Sequence, residues 1–488
     1  MKYLFKPTYG PEWGSGGVFG LTYYRGVVYY TLAMEGEAHF HHEDSESIYR
    51  FELLGNGPAS GGDTYNAVDY VDDKIYFGGW VHKPAIYKGR VNGGGEIDFR
   101  NKYSHIHEYD IAERRVRLVW SDSIHHEYEW VGEVSQIVYD PLSDSLLVAR
   151  ADGMRNLGVY KIDRNTGRAE QVSSVPALKG ALYQEYACFD LQPDWKRGVD
   201  GVQCFDLVEK KLVKNYIEDW SKISIDGYPV ERRGSGYATT GYTRYWHFFR
   251  GGLIVGNPAE PDIEELTFVR MFDFPGTPYA PHRSNALPIG GGILAVFNSY
   301  SHGYIHVAPE GRARARLFNT VVGPTTLVYI TPPVARIVAT LGARVTSMTK
   351  KGGSILIGVS NTPNLGGKDA TPLENGWREI IEWREDALLN APLPPVVFRV
   401  LGSAVLDQPF GGIPLTGYRV KTLRVFSSKS NALRIAEYDI GLPPARIEDD
   451  KVTLKEGWNR IDLSNYSNIV SFKLDTPDEK ALIYINLE

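Results

Sequence analysis

The chain has 488 residues, more than one hydrophobic core usually organises, so several domains or one large repeat array is expected. Hydrophobic residues make up 43% and charged residues 23%, a globular balance that excludes a disordered chain. The formal net charge of −6 argues against a generic phosphate-binding surface, so no nucleic-acid partner is expected.

Fifty-one Gly, 31 Tyr and 10 Trp point to strands joined by tight turns, since aromatics fill pleated surfaces and Gly supplies φ > 0 at corners. No run approaches the ~18–20 apolar residues of a membrane helix, and the Met1 to Pro7 stretch lacks a signal-peptide pattern, so no membrane partner and a cytoplasmic setting are expected. Two cysteines, Cys188 and Cys204, exclude a disulfide framework and a multi-Cys zinc site. They read as two buried thiols on neighbouring strands, with a bridge as the alternative. Poverty in Gln, Met and Cys points to a thermophile.

Strand patterns run through the whole chain. Ser47-Ile48-Tyr49-Arg50-Phe51 reads as the third strand of a first unit. Tyr109-Asp110 opens a charged turn followed by an alternating strand. The clearest unit runs from Gly132 to Ser173: four short alternating segments, with turns at Asp140 to Asp144, Asp152-Gly153 and Arg164 to Gly167. Four antiparallel strands in about forty residues is a propeller blade. The aromatic-Asp-turn grammar returns at Phe205-Asp206 and Phe272-Asp273, and further third strands are read at Tyr304 to Val307 and Glu379 to Trp383. The expected fold is all-β: a β-propeller over 1–395 with about seven blades, six or eight remaining open. After the stiff Pro392-Leu393-Pro394-Pro395 passage the grammar changes, and 396–488 reads as a jelly-roll-like β-sandwich. A homo-oligomer through that sandwich is one arrangement it leaves open.

In a propeller, second-to-third strand loops and blade-to-blade links share one face. Here they are rich in Gly, His, Trp and carboxylates, residue types that allow close approach to a ligand and then orient or transform it. Asp63 and Glu133 each open an innermost strand after a Gly, and Asp152 ends a second strand. Carboxylates at one channel mouth can work as a general acid and base, the pairing used on glycosides, so these three are the candidate catalytic residues. Trp13, His39, Asn66, Trp80, His82, Arg150, Asn156 and His302 are the candidate substrate-binding residues around them, and a small molecule or glycan is the expected ligand. The same carboxylates can instead hold neighbouring blades together. His105-x-His107 and His39-x-His41 fit metal spacing but also plain strand alternation, and no metal or cofactor is assigned. The leading functional reading is a glycoside hydrolase. Two alternatives stay open: a non-catalytic propeller binding a protein or glycan, and a metal-dependent lyase or lactonase using His39, His82 and a carboxylate.

The stretches Gly10 to Gly17, Ser60 to Asn66, Gly78 to His82, Asn101 to His105, Glu133-Val134-Ser135 and Arg150 to Gly153 together resemble an uncharacterised family, domain of unknown function 2139, of hyperthermophilic archaea. The resemblance implies an archaeal, hot, cytoplasmic setting and carries no activity with it.

Overall fold

A computed structural model describes residues 3–5, 17–32, 36–51, 61–82, 87–88, 96–97, 102–126, 129–194, 197–218, 220, 232, 236–299, 322–360 and 378–488. Seven antiparallel sheets follow one another as propeller blades. The first four begin with the strands Val18–Tyr24, Gly61–Gly62, Glu133–Asp140 and Gly180–Tyr183. The last three begin with Tyr237–Gly241, Leu287–Ile289 and Arg344–Lys351. The seventh sheet takes its outermost strand from the N-terminus: Tyr3–Phe5 pairs with Arg378–Arg384, so the two ends of the propeller segment close the ring together.

Alternation along each strand sends side chains to both faces of a blade, and one four-stranded sheet cannot bury both. Each face is therefore packed against the next blade. Tyr29, Phe40 and Phe51 meet Ile75, Phe77 and Tyr109 between blades one and two. Tyr76 and Ile106 meet Val134, Leu146 and Val148 between two and three, and Leu147 and Ala149 meet Phe189 and Phe205 between three and four. Val18, Val28 and Tyr30 meet Leu356 and Ile380 where blade seven returns to blade one.

Three sequence expectations shift. The segment read as a third strand at Ser47 to Phe51 is the outermost strand of blade one, Glu46–Arg50, because Glu37–His41 already occupies the third position. Gly78 to His82, which its Gly, Trp and His residues group with the second-to-third strand loops, instead continues the second strand of blade two, Lys74–His82. Cys188 and Cys204, read as thiols, lie directly opposite each other in register and form a disulfide. Tyr304 to Val307 lies outside the described residues.

After the seventh blade come a short helix, Glu385–Leu389, and two four-stranded sheets packed as a sandwich. One sheet orders its strands Val396–Leu401, Leu482–Leu487, Lys421–Ser427 and Gly457–Asp462. The other orders Phe410–Pro414, Ile469–Leu474, Asn431–Tyr438 and Arg446–Leu454. This second sheet is welded to the propeller. Asp273 and Gly411 exchange backbone bonds of 2.9 and 2.7 Å, Phe272 N donates to Gly412 O, and the Tyr438 hydroxyl donates to Arg270 O at 2.8 Å. Gly412 permits the approach: at φ +68°, a Cβ there would stand 2.7 Å from Arg270 O. A continuous apolar core joins Phe272, Phe297 and Leu327 of the propeller to Phe398, Phe410 and Phe472 of the sandwich. Among the described residues no helix is long and apolar enough to cross a membrane.

Candidate functional site

The innermost strand of blade two is split. Gly61–Gly62 and Val68–Val71 both pair with Lys74–His82, and residues 63–67 turn out of the gap between them. Gly79 makes room, since at φ +142° its missing Cβ would sit 2.3 Å from Gly62 O. Asp63 holds the turn by accepting from Tyr65 N and Ala67 N, 2.7 Å each, which is the local bonding an Asp at a turn is built to make. Asn66, left-handed at φ +61°, then reaches across the ring. Its Oδ1 accepts from Gly20 N of blade one at 2.8 Å, and its Nδ2 donates to Thr346 O of blade seven at 2.9 Å and Arg283 O of the link between blades five and six at 3.2 Å. From the other side, buried Lys179 donates to Tyr65 O and, at 2.8 Å, to Ser135 O. The turn 63–67 therefore touches four other blades or links and sits at the centre of the ring.

Beside the turn lies a compact charged cluster. Backbone register assembles it: Glu133 pairs opposite Ala151, so Asp152 is the next residue along, and Gly132 and Gly153 pack so closely that a Cβ on Gly153 would stand 2.2 Å from Gly132 N. Thr64 Oγ1 donates to both carboxyl oxygens of Glu133 at 2.8 Å. Arg283 Nη2 donates to Asp152 Oδ2 at 2.7 Å, and the Arg283 guanidinium stacks 4.4 Å from the Tyr65 ring centre. Lys102, the first residue of Lys102–Asp110, donates to Asp152 O at 3.3 Å and lies 5.4 Å over the Trp80 ring.

Burial divides these groups. Glu133 is 1% exposed, and removal from water pushes its carboxyl up to about 8, with Asp152 adding in the same direction against Lys102 and Arg283. Asp152, whose side chain is 38% exposed, is held below the usual carboxylate range because Arg283, Lys102 and Tyr65 outweigh its desolvation. Asp63 is pushed up to about 6 by burial, and Lys179 down to about 8 for the same reason. Within one cluster the two carboxyls are thus displaced in opposite directions, Glu133 upward and Asp152 downward. Asn66, Asp152, His282 and Arg283 all have left-handed backbones, at φ +61°, +64°, +30° and +50°. Such non-Gly conformations cost free energy and gather at functional sites.

The other sequence candidates are placed as follows. Trp80 is buried beneath Lys102. Asn156 braces the 152–156 loop by accepting from Gly153 N at 3.1 Å. Arg150 is fully buried between blades two and three, donating to Asp122 Oδ2 at 2.9 Å between the rings of Trp120 and Tyr160. His39 stacks on Tyr30 at 4.8 Å within blade one and contacts Glu46 and Glu37, so it does not join the cluster. His82 falls in register with Lys102, while its side chain, Trp13 and His302 lie outside the described residues. Lys102, Lys179, Arg283, Thr64 and Tyr65 were not among the sequence candidates. Lys179 carries a readable signal all the same: it immediately precedes an innermost strand, in the slot beside the ones Asp63 and Glu133 hold.

Among the described residues no group of three His, Cys, Asp or Glu is disposed to hold a metal ion. A cleft of about 710 Å³ opens on the opposite, hairpin face, lined by Tyr329, Arg336, Glu385 and Asp386 among others, away from the carboxylate cluster.

The family described as "Uncharacterized protein conserved in archaea (DUF2139)" matches residues 28–368, well over half the chain and spanning every group of the cluster. The chain belongs to this family. No curated protein matches it significantly. Solved structures with a similar course include a streptogramin B lyase, 10% identical with a TM-score of 0.42, covering 78% of this chain and 98% of that one. An exo-beta-1,3-galactanase from Phanerochaete chrysosporium is 9% identical, with a TM-score of 0.31 and coverage of 86% and 95%. A glycoside hydrolase family 43 arabinoxylan arabinofuranohydrolase from Bacillus subtilis is 9% identical, with a TM-score of 0.26 and coverage of 86% and 94%. At these identities and scores no residue role passes from those proteins to this DUF2139 chain.

Proposed function

We propose that the cluster beside the 63–67 turn is an acid–base site that hydrolyses glycosidic bonds. The observation that carries this reading is the opposite displacement of two neighbouring carboxyl groups, Glu133 upward and Asp152 downward. Cleaving an acetal needs one carboxyl that still holds a proton at working pH and one that is already ionised. Glu133 is the proton donor to the leaving oxygen. Asp152, the more exposed of the two, is the ionised partner, and Arg283 keeps it so. Both Asp63 oxygens accept from the turn's own backbone, which makes Asp63 a positioning residue for Thr64 and hence for Glu133.

The test is product release from a broad glycoside and glycan panel by the wild type, Glu133→Gln and Asp152→Asn. Loss of a general acid lowers turnover by about 10²–10⁴-fold. Turnover by the wild type that both variants lose, with both variants folded at the assay temperature, supports the reading. Equal turnover in all three sinks it, and so does silence of a folded wild type across the panel.

The hydrogen bonding of Asn66 and Lys179 favours a second reading, a polar lock that holds the ring closed around a non-catalytic binding surface. In that case Glu133→Gln and Asp152→Asn alter the melting temperature and no turnover exists to lose.

A further inference from the structure

The outer sheet of the C-terminal sandwich turns a patterned face to solvent. Its register places three rows across the four strands. One row is apolar: Leu401, Leu482, Phe426 and Trp458. The next is Arg399, Tyr484, Arg424 and Arg460, and the third is Val397, Asn486, Thr422 and Asp462. Trp458 is 54% exposed, a large apolar side chain left in water. Phe426 meets it edge-on at 5.5 Å, Tyr484 lies 6.2 Å away, and the Arg424 guanidinium sits 5.2 Å over its ring.

The charge on this face is one-sided. Arg399, Arg424 and Arg460 form no ion pair among the described residues, and the sandwich is described throughout. Of the twelve positions only Asp462 carries a carboxylate, and it accepts from Ser464 N and Oγ at 3.0 and 2.9 Å. The opposite sheet is docked on the propeller, and this one meets it along its edge strand, where Arg399 N donates to Val322 O at 2.7 Å, which leaves the outward-facing side chains as the open face of the sandwich.

We infer that this face binds an acidic polysaccharide, a chain of uronate or sulfated sugars laid across the strands. The apolar row offers a floor for the C–H faces of successive rings. The neighbouring row puts guanidiniums where the acidic substituents of the same rings fall, on strands about 4.8 Å apart. Guanidinium forks match carboxylate and sulfate geometry, and Arg424 stacked on Trp458 is held ready for one. The inference does not rest on the channel reading.

The test is binding of the full-length protein to immobilised oligogalacturonate, with a neutral oligodextran beside it, at low salt and at about 1 M NaCl, where screening acts within about 3 Å. The wild type retains the acidic oligomer at low salt only and ignores the neutral one. Arg424→Gln with Arg460→Gln, and separately Trp458→Ala, weaken binding by roughly tenfold or more, the scale of one charge-assisted hydrogen bond. Arg446→Gln, on the acidic outer strand of the opposite sheet, leaves binding unchanged. All of these sites are exposed, and melting curves establish that each variant is folded. Absence of retention by the wild type, or equal retention by the variants, overturns the inference. So does a wild-type dimer that Trp458→Ala dissociates without any glycan binding, or tighter binding to single-stranded DNA than to the uronate.

Discussion

Arg283 and Asp152 are 131 residues apart in the chain and 2.7 Å apart in the cluster beside the 63–67 turn. The first stands on the link between blades five and six, the second at the end of a strand in blade three, so only the closed ring brings them together. Burial pushes the Glu133 carboxyl up, while the pairing with Arg283 holds the Asp152 carboxyl down. Arg283 stabilises the Asp152 carboxylate, and that charge helps keep the proton on Glu133. Infrared spectra of the wild type will show a neutral carboxyl at pH 7 that deprotonates near pH 8. Glu133→Gln removes that band. Arg283→Met moves the titration of Asp152 upward, adding to the acid-range signal that Asp63 already gives near pH 6. A spectrum with no protonated carboxyl at pH 7 would leave Glu133 without a proton to give.

The same proton has a signature in stability. Between its ordinary value of 4.5 and about 8, the folded protein keeps a proton on Glu133 that the unfolded chain has released. Stability therefore falls as pH rises through this window, by up to about 1.4 kcal/mol per pH unit for one full proton. Lys179 acts in the opposite sense from about 8 to 10.5, where the unfolded chain holds the proton and the folded one does not. Denaturant titrations at pH 5 and pH 8 should show Glu133→Gln gaining on the wild type as pH rises. If the two curves stay parallel, Glu133 is ionised at neutral pH.

Asn66 combines three interblade hydrogen bonds with a left-handed backbone. Asn66→Ala loses the bonds, at about 1 kcal/mol each, and keeps a Cβ in the left-handed region without the polar side chain that lets Asn adopt it, at about 1 kcal/mol more than Gly. Asn66→Gly loses the bonds alone. Both variants will be destabilised, with Gly the milder by roughly 1 kcal/mol. An Ala variant as stable as Gly would show that the 63–67 turn relaxes when its tether is cut.

What was legible in the sequence follows from the range of each interaction. The blade pattern is local: alternation and Asp-bearing turns between Gly132 and Ser173 mark four strands without reference to any other residue. The choice of mouth face follows from it, because loop composition differs between the two faces. Glu133 and Asp152 fall together through one hairpin register, and both were readable. Lys102, Lys179 and Arg283 reach the cluster from three other elements, and nothing local announces that a ring will fold them inward. His39 misled for a related reason. Its neighbours suggest a loop end, yet pairing with Tyr30 places it inside blade one. The split of the first strand in blade two, which puts Asp63 and Asn66 at the centre, is written in Gly61-Gly62 and Gly79 only once the pairing is known.

The two cysteines show the same limit most simply. Each sits in a Cys-Phe-Asp-Leu stretch that reads as buried strand, and burial alone suits a thiol. The register then sets Cys188 directly opposite Cys204, 16 residues on, where they are bonded. Closing a loop of that size removes disorder from the unfolded chain worth about 3 kcal/mol. Denatured protein kept from reductant should take up no thiol-alkylating reagent, and two equivalents after reduction. Cys188→Ala with Cys204→Ala should unfold at lower denaturant concentration while retaining the native sheet content. Full alkylation without reductant would return both residues to the thiols that their local sequence suggests.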